Sequence, residues 1–334
     1  MLVHRDLSHL PQFSNAVVTI GTFDGVHAGH RKIIEQLKRE AEKVNGETII
    51  ITFHPHPRKI VHEGQSAVPI LTTLPEKIAL LQALHINHLV VIPFDAAFSN
   101  QTADEYIQNF LWERFHPHTV IIGYDHKFGK GRKGDYHLLE AYGKQLGFEV
   151  KEIPEHVLNE VTISSTRIRE ALLKSDIATA NEFLSYTYFF EGFVVLGNQL
   201  GRTIGYPTAN LEIADKEKLI PGNGVYAIEA VLVNNEQSIV NEDLFSGNNQ
   251  DSSLQPANLH PIQGMMNIGM RPTVDGTKRT IEVNLFGFDK DIYGLTLRVF
   301  IKYYLRGEVK FSGLDALKAQ LAQDKVQSLA LLNN

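Results

Sequence analysis

The sequence predicts two domains of different class: an α/β domain built on a parallel sheet with helices on both faces, then a small antiparallel β-barrel with a C-terminal helix. Three observations carry this expectation. Over residues 1–184, apolar strand runs alternate with helical stretches, and strands apolar throughout are those of a sheet covered on both faces. From Tyr188 the pattern changes to strands joined by glycine-rich connections with almost no helix, which is how a small closed barrel reads. The 334 residues suffice for two domains of ordinary size. The expected division is 1–184 and 185–334.

Composition narrows the function. The chain is 43% hydrophobic and 21% charged, as a globular protein is, and its longest apolar runs are about half a membrane span. The opening Met-Leu-Val-His-Arg-Asp lacks the apolar core of a signal peptide. With no cysteine, disulfides, thiolate metal sites and cysteine nucleophiles are excluded, and a cytoplasmic location is the expectation. A net charge of −6 argues against nucleic acid as a partner, whereas local basic clusters at His126–Lys133 and Arg167–Arg169 suit a small anionic ligand.

The first strand is Ala16–Ile20. It runs into Gly21-Thr-Phe-Asp-Gly-Val-His-Ala-Gly-His30, and then into Arg31–Val44 with Ile33, Ile34, Leu37, Ala41 and Val44 at helical spacing. A glycine-rich turn at a helix N-terminus offers backbone N–H groups and the positive end of the helix dipole to a phosphate. His27 and His30, three apart, lie close to one face of the first turn and could donate to charge building on a phosphoryl group. The alternative is a tight turn whose histidines only cap the helix. Next come Asn45-Gly46 as a helix stop, the strand Thr48–Phe53, and the capping box Thr73-Leu-Pro-Glu76 opening a helix with Ile78, Leu81 and Leu84. They are followed by the strand Leu89–Ile92, the capping box Thr102-Ala-Asp-Glu105 with a helix to about Phe115, the strand Thr119–Ile122, the helix Asp135–Leu146 and the strand Glu149–Ile153. Ligands of such a sheet bind at the carboxyl ends of its strands, where the opening motif lies.

Three further stretches could reach that crevice: Phe53-His-Pro-His-Pro57, the loop Gly123–Gly134, and Ser164-Ser-Thr-Arg-Ile-Arg169, whose hydroxyls and arginines suit phosphate oxygens or else form an ordinary N-cap with a solvated basic face. Gly129-Lys-Gly-Arg-Lys-Gly134 matches a dinucleotide fingerprint formally, but the preceding strand ends near Gly123, so the turn is not tight. His54/His56 and His116/His118 could be zinc ligands, yet cysteine and an H-E-x-x-H run are both missing.

The motif His27-Ala-Gly-His30 together with Ile163-Ser-Ser-Thr-Arg-Ile-Arg169 resembles the nucleotidyltransferase superfamily. Within it, G-x-F-D-G-x-H-x-G-H, F-x-P-H-P and G-x-D-x-x-F-G are similar to the bacterial FAD synthetase module. The resemblance implies a Rossmann-like fold and adenylyl transfer from ATP: the FMN phosphate attacks the α-phosphorus and pyrophosphate leaves. On it, His27, His30 and Arg169 are catalytic; Gly21, Phe23, Asp24, Gly29, Ser164, Ser165, Thr166 and Arg169 bind ATP; and Pro55, His56, Pro57, Asp125 and Phe128 bind flavin. His54 departs from the acidic residue frequent in F-x-P-H-P, and His126-Lys127 from the usual aromatic-basic pair.

In the second half, the helical stretch Ile177–Leu184 precedes strands at Tyr188–Leu196, Gly224–Val233, Gly264–Gly269, Arg279–Phe286 and Leu295–Tyr304. Ile281, Val283 and Leu285 share one strand face. Glu282, opposite them, is either a solvated outer residue or a functional acid, and spacing alone favours the former. Ser312-Gly-Leu-Asp315 is expected to cap a final helix whose Leu314, Leu317 and Leu321 cross the barrel. Asn241–Leu259, polar and without periodicity, reads as a surface insertion. Three glycines and an arginine in Gly197–Gly205 allow close approach to phosphates, and the oxygens of Thr208 and Asn210, two residues apart on an extended segment, are reasonable magnesium ligands.

Gly201–Asn210 (G-R-x-x-G-x-P-T-A-N), Pro221–Tyr226, Asn267–Thr273 (N-I-G-x-R-P-T) and Ile281-Glu-Val283 look like the riboflavin kinase family. That likeness implies a six-stranded barrel in which Gly201, Arg202, Gly205 and Thr208 bind ATP, Thr208 and Asn210 hold Mg2+, Arg271 binds flavin, and Glu282 is the base for the riboflavin 5′-hydroxyl. Leu196 departs from a histidine frequent in the family. In this order the two likenesses resemble the bifunctional prokaryotic riboflavin kinase/FMN adenylyltransferase family, implying riboflavin, FMN, FAD, ATP and ADP as ligands.

Overall fold

A computed structural model describes residues 1–61, 68–153, 163–197, 200–233, 261–273 and 276–333. The polar stretch 241–259 lies outside them. The chain divides into two compact units, Met1–Ser165 and Thr166–Asn334.

The first unit is a six-stranded sheet of β1 (Leu2–His4), β2 (Val17–Ile20), β3 (Thr48–His54), β4 (His88–Pro93), β5 (Thr119–Gly123) and β6 (Glu149–Ile153). Its order is β1-β4-β3-β2-β5-β6 and every pairing is parallel. All four residues of β2 are buried, as a strand flanked on both sides and covered on both faces requires. From β2 the chain moves outward through β3 and β4, then returns to the other side of β2 with β5 and β6. The connections leaving β2 and β5 therefore diverge, and a crevice opens between them at the carboxyl edge. Both flank it with sequence motifs: Gly21–His30 follows β2 and Gly123–Gly134 follows β5.

The helices follow their expected signals. α1 (Ala28–Lys43) begins three residues before the apolar run and buries Ile34, Leu37 and Ala41. α2 (Leu74–Gln82) carries the full capping box: Thr73 Oγ1 accepts from Glu76 N at 3.4 Å, and the Glu76 carboxylate accepts from Thr73 N at 2.8 Å. Thr102 and Glu105 form a second box, after which Ala103–Glu105 runs on through a π-helical Tyr106–Trp112 to Glu113–Phe115. α3 (Tyr136–Leu146) is capped by Asp135 and closed by Gly147 at φ 89°.

The second unit opens at the first turn of α4 (Ser165–Leu173), continues through α5 (Ile177–Leu184) and closes a barrel from β7 (Phe189–Val195), β8 (Ala209–Glu212), β9 (Gly224–Val233), β10 (Ile262–Thr273), β11 (Gly276–Leu285) and β12 (Thr296–Arg306). The order is β10-β11-β8-β7-β12-β9, antiparallel throughout. The last helix, α6 (Leu314–Leu332), packs on β9, β10 and β12. It departs from expectation in two respects. Gly313, not Ser312, is its N-cap and no side chain bonds there. Leu314 is 54% exposed, so only Leu317 and Leu321 of the anticipated stripe face inward. The helix is fixed instead by a charge: buried Asp324 receives Arg306 Nε at 2.9 Å and Nη2 at 2.6 Å. Such a fork between planar groups sets both distance and orientation.

Candidate active sites

In the first unit the Gly21–His30 turn is folded by polar contacts from outside itself. Asp24 is buried, and its Oδ1 accepts from Leu71 N at 2.9 Å and Thr72 N at 3.1 Å. Gly25 N donates to Thr72 Oγ1 at 3.0 Å. Ser165 Oγ donates to the Asp24 carbonyl at 3.0 Å, so the start of the Ser164–Arg169 motif meets the opening motif. Gly21 N bonds Ile51 O at 3.0 Å. His27 caps α1, its Nδ1 accepting from His30 N at 3.4 Å, which leaves the Nε2 of a neutral imidazole as its N–H. The His27 and His30 rings stack with centroids 3.7 Å apart and 18° between planes. Phe23 lies 4.9 Å from the His30 ring. A Cβ on Gly29 would lie 3.2 Å from the His27 ring, so glycine leaves the pair its room.

Burial first, then the charges of His27 and Lys77, hold His30 well below the usual imidazole value. His30 is therefore neutral at pH 7. Its Nδ1 finds no hydrogen-bond partner among the described residues, and in the tautomer protonated there it can donate to an anionic oxygen.

The Gly123–Gly134 loop is pinched by a bridge: Phe128 N donates to Gly134 O at 3.2 Å and Gly134 N to Phe128 O at 2.9 Å. It is thus not the tight strand-to-helix turn of a dinucleotide site. Asp125 is exposed, whereas Phe128 is buried and stacks on Tyr106 at 4.9 Å. Expected as a flavin contact, Phe128 sits in the core of the free protein, because its ring fills the space between the loop and the Tyr106 turn. Burial pushes His126 down to about 4, so it too is neutral. Replacing Phe128 by alanine is expected to cost about 3–5 kcal/mol of stability, read by denaturant unfolding. His54 is exposed and His56 half-buried with its Nδ1 accepting from Arg58 N at 3.2 Å; Pro57 starts the short helix Pro57–Val61. Among the described residues no group of three or more His, Cys, Asp or Glu is placed to hold a metal ion. Arg169 is buried in α4 of the second unit; Thr166, one turn earlier, is exposed.

The barrel gathers its motifs by register. Glu282 pairs with Asn210 on one side and Asn267 on the other. Directly opposed residues of an antiparallel ladder share a face, so Asn210, Glu282 and Asn267 stand side by side. Ile281, Val283 and Leu285 are all buried, and Glu282, on the other face, is no solvated residue: its side chain is 12% exposed. It lines a pocket of ≈ 280 Å³ with Gly201, Thr208, Asn267, Arg271 and Glu308, walled by Leu317 and Leu321 of α6. Burial raises the Glu282 carboxyl above its usual value; the Arg271 guanidinium, ion-paired with it, and a bond from Thr280 pull the other way. A Cβ on Gly201 would lie 2.1 Å from Tyr206 O, so only glycine lets the chain double back there. The Asn210 amide packs on Gly197, within 2.0 Å of where a Cβ would be. Asn267, Asn284 and Glu308 were not singled out by sequence; Asn267 begins a quoted motif, but nothing in spacing showed that it flanks Glu282.

A family model for FAD synthetase matches residues 10–167, and one for riboflavin kinase matches residues 184–332. The bifunctional riboflavin kinase/FMN adenylyltransferase of Escherichia coli (strain K12) is 34% identical over 96% of this chain and 94% of its own length. The chain belongs to the bifunctional riboflavin kinase/FMN adenylyltransferase family. The same-named protein of Haemophilus influenzae is 35% identical over 95% of this chain and 94% of its own. A solved structure named Macrolide-efflux Protein, from Streptococcus pneumoniae, covers 98% of both chains at 27% identity with a TM-score of 0.81. No described helix of the present chain is long and apolar enough to cross a membrane. Family membership accounts for the order of the two units, the sheet with the adenylyltransferase motifs preceding the barrel with the kinase motifs.

Proposed function

We propose that the barrel transfers the γ-phosphoryl group of ATP to the riboflavin 5′-hydroxyl, giving FMN and ADP, and that the sheet unit joins FMN to the AMP moiety of a second ATP, giving FAD and pyrophosphate. We divide the work at 1–184 and 185–334. The observation that carries the kinase assignment is the pocket that holds Glu282, Asn267 and Thr208, with Asn210 paired in register beside Glu282. Glu282 takes the hydroxyl proton as the oxygen attacks; a carboxyl raised by burial is a stronger base than a solvated one. Gly201–Gly205 approaches the phosphates. Thr208 and Asn210 suit Mg2+: they are neutral oxygen donors, and this ion takes few protein ligands beside substrate phosphates. Bound there, it would offset phosphate charge.

In the sheet unit the acceptor is already a phosphate, so no protein base is needed. His27 and His30 donate to oxygens of the α-phosphoryl group as charge builds, and the helix N-terminus behind them adds its dipole. Asp24 serves by holding the turn, as does Ser165; the roles of Thr166 and Arg169 on ATP rest on the family likeness. Phe128 positions the loop, and Asp125, exposed on it, is open to a flavin contact. A cytoplasmic location fits these substrates.

Purified protein incubated with riboflavin, ATP and magnesium chloride should form FMN and then FAD, followed by chromatography, and excess chelator should stop FMN formation. Appearance of neither flavin would overturn the assignment.

A further inference from the structure

A charged side chain lies inside the first unit without a part in the mechanism above. Lys77, on α2, is 6% exposed. Its Nζ donates to the Thr22 carbonyl at 2.6 Å and to Thr52 Oγ1 at 3.3 Å. Thr52 Oγ1 donates to the same carbonyl at 3.1 Å. Thr22 belongs to the phosphate turn and Thr52 to β3, so Lys77 ties the turn to the sheet from beneath. The ammonium is near enough to His30 to disfavour a charge on that ring, and near enough to Asp24 to feel its carboxylate.

We propose that Lys77 is a positioning residue for adenylyl transfer: its buried ammonium, bonded to the Thr22 carbonyl and Thr52 Oγ1, fixes the turn that presents His27 and His30. This rests on the assignment of adenylyl transfer to His27 and His30.

Two observations favour it over a purely structural lysine. An uncharged side chain would serve the fold more cheaply, since burial brings the Lys77 ammonium down to about 8. The folded state thus binds Lys77's proton less tightly than the unfolded chain does. The resulting penalty is fully present below pH 8 and is relieved as pH rises from about 8 to 10.5. A lysine kept at such a cost beside a buried, perturbed histidine is the arrangement found where charge has a task. Second, the contacts are one-sided. Lys77 Nζ is bonded to the Thr22 carbonyl of the turn and to Thr52 Oγ1 of β3, on the side of the turn and the sheet. The groups whose charge bears on His30 are His27 on its own turn and Lys77 on α2; the one bearing on Lys77 is Asp24.

The test uses the full chain with Lys77→Met, Lys77→Gln and Lys77→Arg. FAD formation from FMN and ATP and FMN formation from riboflavin and ATP are both measured across pH, the second as an internal control on the second unit, while folding of the first is read from its own unfolding transition. Lys77→Met should lower kcat for FAD formation roughly 10- to 100-fold, the scale of a displaced catalytic group. Because His30 loses the opposing ammonium, the acid limb of its pH profile should move to higher pH, toward but not past the ordinary imidazole value. FMN formation should stay within about twofold. Lys77→Gln keeps a donor for Thr22 without the charge; it should move the limb equally while losing less rate, and it decides the matter if the methionine variant does not fold. Lys77→Arg should return the limb to its wild-type position. Rates and limbs unchanged in Lys77→Met and Lys77→Gln, or rates that fall with the limb unmoved, would overturn the inference. A wild-type protein making FMN but no FAD would remove the site assignment itself, a distinct result.

Discussion

Replacing His27 by alanine is expected to stop FAD formation while riboflavin is still converted to FMN. The ring does two things at once. Its Nδ1 accepts from His30 N, and its face stacks on the His30 ring at 3.7 Å, so it both caps α1 and aligns the second histidine. Loss of one preorganised donor to a developing oxyanion costs about 10²–10³ in kcat. Loss of the cap removes about 1 kcal/mol of stability, too little to unfold a domain. The drop should fall mainly on kcat, because a donor that acts as charge develops contributes little to the ground state. FMN accumulation from riboflavin in the same preparation is the control. Equal loss of both products in a folded protein would contradict two independent sites.

The mirror result is expected for Glu282. In Glu282→Ala, FMN formation should fall about 10²–10⁴-fold, the usual range for a removed general base, while FAD still forms when FMN is provided. The pH profile gives a finer test. Arg271 lowers the Glu282 carboxyl against the upward push of burial. Removing that charge in Arg271→Gln raises the carboxyl further. Only the ionised carboxylate can accept the hydroxyl proton, so the acid limb of FMN formation should move to higher pH. Initial rates across pH would show it; a limb that stays put would mean Glu282 is not the group titrating.

Much of this was legible in residue order. Capping boxes at Thr73 and Thr102, buried strand runs and the alternation around Ile281 depend on neighbours in sequence, and they appear as expected. Glu282 shows the limit. Its alternation placed it opposite the aliphatics, which in an open sheet means solvent, but the pocket wall from α6 covers that face. Strand β8 was seen only as an extended ligand segment, because four residues following Pro207 carry no period. Lys77 was hidden differently: it falls on the same helical stripe as Leu81 and Leu84, and a lysine there could equally have snorkelled to water. Only the position of Thr22 shows why it does not. Phe128 was read through a motif, whereas its burial depends on Tyr106, distant in sequence.

The three residues of β1 have a bearing on how the protein avoids sticking to itself. Leu2, Val3 and His4 pair in parallel with His88, Leu89 and Val90 of β4, a strand buried along nearly its whole length. His4 Nε2 and His88 Nδ1 meet at 3.0 Å and help keep the pair together. Without β1, β4 would present open N–H and C=O groups on an apolar run, which is a template for another chain to add a strand. β1 is itself only three residues long, and thus a poor template. β1 is therefore a guard against aggregation, and removing it would be felt first as lost solubility, with catalytic residues left in place.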